Sequence, residues 1–169
     1  MGKLGVPALV GAVLFSGTTI TWTTFHSSLY PYSISQPSSF NHYEIAVNPD
    51  LKADYFYPLV GSATTNVNIT ATPGREVPNE TLYLRSLDGR NIRRTAWVNL
   101  AGQRVALMCA DFQSVMGKYR IEQLSFLWGG MLWHVTMSYA LRFKSMRSLM
   151  LRMLQSFKVR NPPPPPRGR

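Results

Sequence analysis

Few side chains in this sequence could do chemistry, and they are scattered. The inventory is three histidines (His26, His42, His134), one cysteine (Cys109) and eight acids confined to residues 44–122. A single cysteine excludes an intrachain disulfide and any cysteine-cluster metal site. His26 and His42 have no partner at ligand spacing. Asp50 and Asp54 would be paired carboxylates if they shared a helix face, but Pro49 and the aromatic run after Asp54 read as a solvated turn. His134 stands inside residues 124–141, a run without formal charge. An ionisable group in such a run is a functional candidate by default. No second titratable group accompanies it there, so a neutral imidazole bonded to a neighbouring helix or a lipid headgroup is a better reading than a proton relay. Phosphate loops, dinucleotide fingerprints and nucleophile elbows are missing from the sequence. No catalytic, cofactor-binding or metal residue is named, and the chain reads as a non-enzyme.

The elements that would position these residues follow from charge and periodicity. Charged residues make up 15% of the chain and hydrophobic ones 45%, where a soluble domain has about 25% charged. The net charge is +10, yet the middle of the chain is nearly neutral and both ends carry bases only. Residues 4–25 lack charge and open on an almost wholly apolar stretch, so 1–25 is expected to be a transmembrane anchor rather than a cleaved signal peptide. Ala8, Ala12 and Ser16 recur every four residues, a small-residue stripe for close helix packing. Gly129 and Gly130 offer the same in 124–141, read as a second transmembrane helix or a buried one.

Between these runs, 26–41 is a turn-rich linker and 42–123 a β-rich region. Strands are expected at 42–47, 55–60 and 67–72, followed by a meander with strands at 82–87, 91–100 and 103–110, turning at Asp88-Gly89 and Ala101-Gly102. Beyond the second run, 142–160 reads as a continuing basic amphipathic helix. Its apolar seam is Phe143, Met146, Met150, Met153 and Phe157, spaced 3, 4, 3, 4. Residues 161–169 form a proline-rich tail.

The fold class expected is therefore a membrane α+β protein: an N-terminal transmembrane helix, a small antiparallel β-meander, a second helix continuing into the basic one, and the tail. Bases after residue 141 favour placing the C-terminus inside. With two spans both termini would lie in the matrix of a mitochondrial inner membrane. On this reading the chain is a non-catalytic structural or assembly subunit of a multi-subunit membrane complex, such as a respiratory-chain or ATP-synthase assembly. Its partners would be other membrane subunits through the seam, and anionic lipid through Arg142, Lys144, Arg147, Arg152 and Lys158. No cofactor is expected beyond a bound phospholipid such as cardiolipin. Nucleic acid is disfavoured, because no aromatic-interleaved RNA motif accompanies the bases. A secretory or viral envelope glycoprotein is the alternative, with sequons at Asn68 and Asn79. A basic RNA-associated, ribosomal protein is a third reading.

Overall fold

Residues 124–141, read from the sequence as a helix, form a β-hairpin. Gly129 and Gly130 both adopt positive φ, 60° and 74°, the conformation a two-residue hairpin turn demands and glycine accepts without a Cβ clash. The strands on either side alternate. Leu124 and Phe126 point into the core with Trp133, Val135, Met137 and Tyr139, while Ser125, His134, Thr136 and Ser138 take the opposite face. The run is uncharged because it supplies two central strands; it does not cross lipid as a helix.

The computed structural model describes residues 20–59 and 65–160. Its strands are β1 (Trp22–His26), β2 (Tyr32–Pro37), β3 (Phe40–Asn48), β4 (Leu51–Pro58), β5 (Asn66–Pro73), β6 (Arg90–Leu100), β7 (Gln103–Ser114), β8 (Gly117–Trp128), β9 (Met131–Ala140) and β10 (Lys158–Val159). Helix α1 (Glu80–Ser86) precedes β6, and a 3-10 turn, Leu141–Phe143, leads from β9 to α2 (Met146–Gln155). Seven strands pair antiparallel in the order β3-β4-β5-β9-β8-β7-β6, and β1-β2-β10 make a second, small sheet. That small sheet and α2 cover one face of the large sheet. They bury a core in which Tyr32, Phe126, Trp133 and Phe157 pack with ring centroids 4.9–6.1 Å apart.

Other expectations change as well. Residues 82–87, read as a strand, belong mostly to α1. The Asn79 side chain accepts from the Thr81 and Leu82 amides and so caps the helix, with Glu80 in its first turn. The helix closes where Asp88 takes φ 61° and the Gly89 amide bonds Leu84 O at 3.0 Å. A Cβ at Gly89 would stand 2.6 Å from that carbonyl, so only glycine fits. The basic helix of 142–160 is shorter than expected and ends in β10. Strands over 42–47, 67–72, 91–100 and 103–110 fall within β3, β5, β6 and β7. The expected anchor and the stripe Ala8, Ala12, Ser16 lie largely or wholly outside the described residues, as does the proline-rich tail; Trp22–His26, at the end of the expected anchor, is strand. Among the described residues no helix is long and apolar enough to cross a membrane. This overturns the two-helix membrane fold and the two-span topology in a mitochondrial inner membrane that rested on it.

Two acids are fully buried under the covering layer. Glu122 on β8 accepts from the Tyr139 hydroxyl at 2.6 Å, from Thr95 Oγ1 at 2.9 Å and from both Arg147 Nε and Nη2, so a single carboxylate holds α2 to the sheet. Burial pushes its pKa up, but the bonds from Arg147, Tyr139 and Thr95 more than offset this and leave it below the ordinary carboxylate value. A depressed carboxylate stabilises the fold above its unfolded pKa of about 4.3 and loses that contribution as pH falls through the folded value. Asp111, bonded by Arg120 at 2.6 Å, is lowered too and adds to the trend. Thermal unfolding followed by circular dichroism should therefore show a plateau near neutrality and a fall on acidification below about pH 4. Glu122→Gln should cost about 2 kcal/mol at neutral pH, with the deficit shrinking in acid.

Candidate functional site

The opposite face of the large sheet is polar where the core face is apolar. Register aligns Thr70, His134 and Ser125 in one row, and Tyr43, Tyr55, Asn68, Thr136 and Gln123 in the next. Tyr57 stacks on Tyr43 at 5.2 Å and accepts from Asn41 Nδ2 at 3.1 Å. Helix α1 covers only the β7 side of this face, where Leu84 is buried against Ala110 and Phe112.

His134 lies at the junction of the covered and open parts. Its Nδ1 is 2.6 Å from Ser125 Oγ, and Ser125 also bonds the Glu80 carboxylate, which Gln123 Nε2 holds at its other oxygen. A carboxylate only accepts, so Ser125 donates to Glu80 and accepts from Nδ1–H of His134. The tautomer is thereby set, and Nε2 carries the lone pair. Burial pulls the imidazole below its ordinary pKa, with the Glu80 charge opposing. The ring is a neutral acceptor, aimed from a sheet face rather than a lipid span. Its titratable neighbour, Glu80, comes from a different part of the chain. Ser125 is no poised nucleophile, because its oxygen is engaged on both sides. Close by, Asn68 Oδ1 is buried without a hydrogen-bond partner among the described residues. That is a stranded buried acceptor beneath the open face.

A second constellation centres on Asp54, which is fully buried and not on a solvated turn. Ser27 and Tyr32 donate to one oxygen and His42 Nε2 lies 2.7 Å from the other. Asp50, its suggested partner, is exposed. Ser27, His42 and Asp54 include triad residue types, but Ser27 bonds the aspartate instead of the imidazole. Its oxygen also accepts from the Leu29 and Tyr30 amides at 3.1 Å. The cluster fixes the 27–31 loop and does not activate a nucleophile. Burial and Asp54 push the Tyr32 phenol far up, keeping it a donor. An open depression of about 380 Å³ adjoins this loop, with Arg160 on its rim; Arg160 bonds Pro31 O at 2.6 Å and Ser27 O at 3.2 Å. Among the described residues no three acids, histidines or cysteines gather as a metal site.

The residues singled out for packing and contact fall as follows. Gly129 and Gly130 are the hairpin turn. Met150, Met153 and Phe157 are buried in the chain's own core, Met146 packs against it and Phe143 is half-buried. Arg142 lies 4.9 Å over Phe143, and Arg152 lies 4.3 Å over Trp22. Arg147 is spent on Glu122, while Lys144 and Lys158 are exposed. Cys109 is buried in β7, and burial raises its thiol pKa. The sequon at Asn68 sits mid-sheet, whereas Asn79 is exposed as the α1 cap.

A large antiparallel sheet with a helix and small sheet on one face is a known class of β-rich fold. The chain is similar to PsbP (CyanoP) of Synechocystis sp. PCC 6803, with TM-score 0.52 and 15% identity, covering 94% of this chain and 100% of that one. It is also similar to LpqN of Mycobacterium tuberculosis, with TM-score 0.50, 8% identity, and 87% and 88% coverage. A Bacteroides thetaiotaomicron protein gives TM-score 0.56 at 16% identity over 82% of this chain, which spans only 48% of that protein. At these identities the likeness is one of fold. No protein-family model and no curated protein matches the sequence. The mitochondrial inner-membrane placement falls with the two-helix topology on which it rested.

In long-range nitrogen–proton NMR spectra His134 should show the Nδ1–H tautomer and titrate below about 6.5. Glu80→Gln should move it lower still, because the charge that opposes the shift is gone. A wild-type value above the ordinary one would contradict the geometry.

Proposed function

We propose that the chain is a non-catalytic accessory or assembly subunit of a larger complex, and that it meets its partner through the open polar face around His134. The observation that carries this is how the polar groups are used. Asp54, Glu122, Ser27 and Ser125 are consumed by internal bonds that build the fold, while His134 Nε2 is left as an acceptor on the open face, in the same row as Thr70 and beside Thr136. An acceptor without a donor suits an N–H or O–H bearing surface, such as a partner's backbone or amide and hydroxyl side chains. LpqN is described as involved in cell envelope biogenesis; a likeness of fold at that identity transfers no role to this chain.

The test is site-specific photocrosslinking in cells. A benzophenone amino acid replacing Tyr55 or Thr136 should capture one discrete partner, and a probe at the exposed Val115 turn should not. Thr136→Lys should abolish co-purification of that partner while leaving the melting curve within about 1 kcal/mol. Equal capture from all positions, or retention of the partner by Thr136→Lys, would overturn the proposal.

A further inference from the structure

Edge strand β6 carries a second feature that the partner face does not use. Trp97 is 45% exposed, with the Arg94 guanidinium 4.6 Å and the Arg104 guanidinium 4.7 Å from its ring. Register sets the three on one face of the sheet. Arg94 pairs with Met108, Trp97 with Ala106, and Arg104 with Asn99, so the arginines approach the indole from opposite ends. Both guanidiniums are within cation–π range of the one ring. Neither guanidinium has a carboxylate within 4 Å among the described residues. Residues 82–107 hold five arginines and one acid, Asp88.

The same face carries α1, about 13 Å further along β7 at roughly 3.3 Å per residue. Only Leu84 of that helix is buried. Leu82, Tyr83 and Leu87 are 59%, 47% and 46% exposed. Outward apolar side chains beside an indole and unpaired guanidiniums are the chemistry of a bilayer interface. There acyl chains take the apolar groups, the headgroup region takes tryptophan and lipid phosphates take arginine. A nucleic acid would use the arginines but would leave Leu82 and Leu87 in water.

We propose that Arg94, Trp97 and Arg104, with Leu82 and Tyr83 of α1 and Leu87 at its C-cap, form a docking surface for an anionic lipid bilayer, on which the chain lies peripherally. This surface uses different residues from the polar face and stands whether or not that face binds a partner.

Co-sedimentation with phosphatidylcholine vesicles, with and without phosphatidylserine, tests it directly. The full chain should bind the anionic vesicles, weaken as salt rises, and show emission quenched by brominated acyl chains, with the quenching largely lost in Trp97→Phe. The double variant R94Q/R104Q should bind roughly thirtyfold more weakly, a factor of about five per arginine. Leu82→Ser with Leu87→Ser should reduce binding without abolishing its salt dependence. Unfolded variants would be recognised by circular dichroism, and the single Arg104→Gln, at an exposed strand start, then supplies the comparison. Absence of vesicle binding, binding unchanged by R94Q/R104Q, or preference for single-stranded RNA over anionic vesicles would each overturn the proposal.

Discussion

Burying an ionised carboxylate is tolerable only when donors surround it, and in this chain those donors have to be brought from distant segments. Glu122 draws on β6, β9 and α2; Asp54 draws on β3 and on the β1–β2 layer. Each acid sits on the face of the large sheet that the second layer covers, so neither is satisfied until that layer is in place. The aromatic core around Trp133 supplies area, and dispersion there is indifferent to small slides. The carboxylates fix which part of the covering layer lies over which strand, because a guanidinium or phenol displaced by one residue would leave a charge unpaired.

That division of labour explains the polar back of the sheet. With the second layer committed to one face, the other face receives, among the described residues, only α1, too short to span seven strands. The strands β5 and β9 therefore alternate large apolar residues inward with Asn, Thr, Ser and His outward. The alternation that builds the core also presents His134, and the core and the candidate site are two sides of one pattern.

Much of this was legible in the sequence, and the failures have identifiable physical causes. The strands β3, β5, β6 and β7 follow from β-branched runs punctuated by turn residues. The hairpin of β8 and β9 was obscured because central strands need no charge, and an uncharged run of that length also suits lipid. The alternation Trp133-His-Val-Thr-Met-Ser-Tyr139 and the Gly129-Gly130 pair were the signals that should have prevailed. The strand expected at 82–87 ignored Asn79, whose position ahead of Glu80 and Thr81 is a helix start. In 146–157 the seam was correctly spaced for a helix, but periodicity shows that a face is apolar without saying what covers it. His134 stood out as an isolated titratable group; Glu80 and Ser125 did not, because only sheet pairing and the fold of the 74–79 connection bring them to it. Asp54 was set aside for the same reason, its donors being contributed by three other segments.

Among the described residues strand β6 is an open edge of the large sheet, and its pairing with β7 is interrupted twice, between Arg90 and Arg93 and between Arg94 and Ala96. A bare edge of eleven residues would be a template for further strands from other copies and so for fibril growth. The two irregularities break the even spacing of its free amides and carbonyls, and the arginines repel a like-charged copy that approaches in register. The edge thus resists backbone pairing with further copies while its side chains remain available for contacts of another kind.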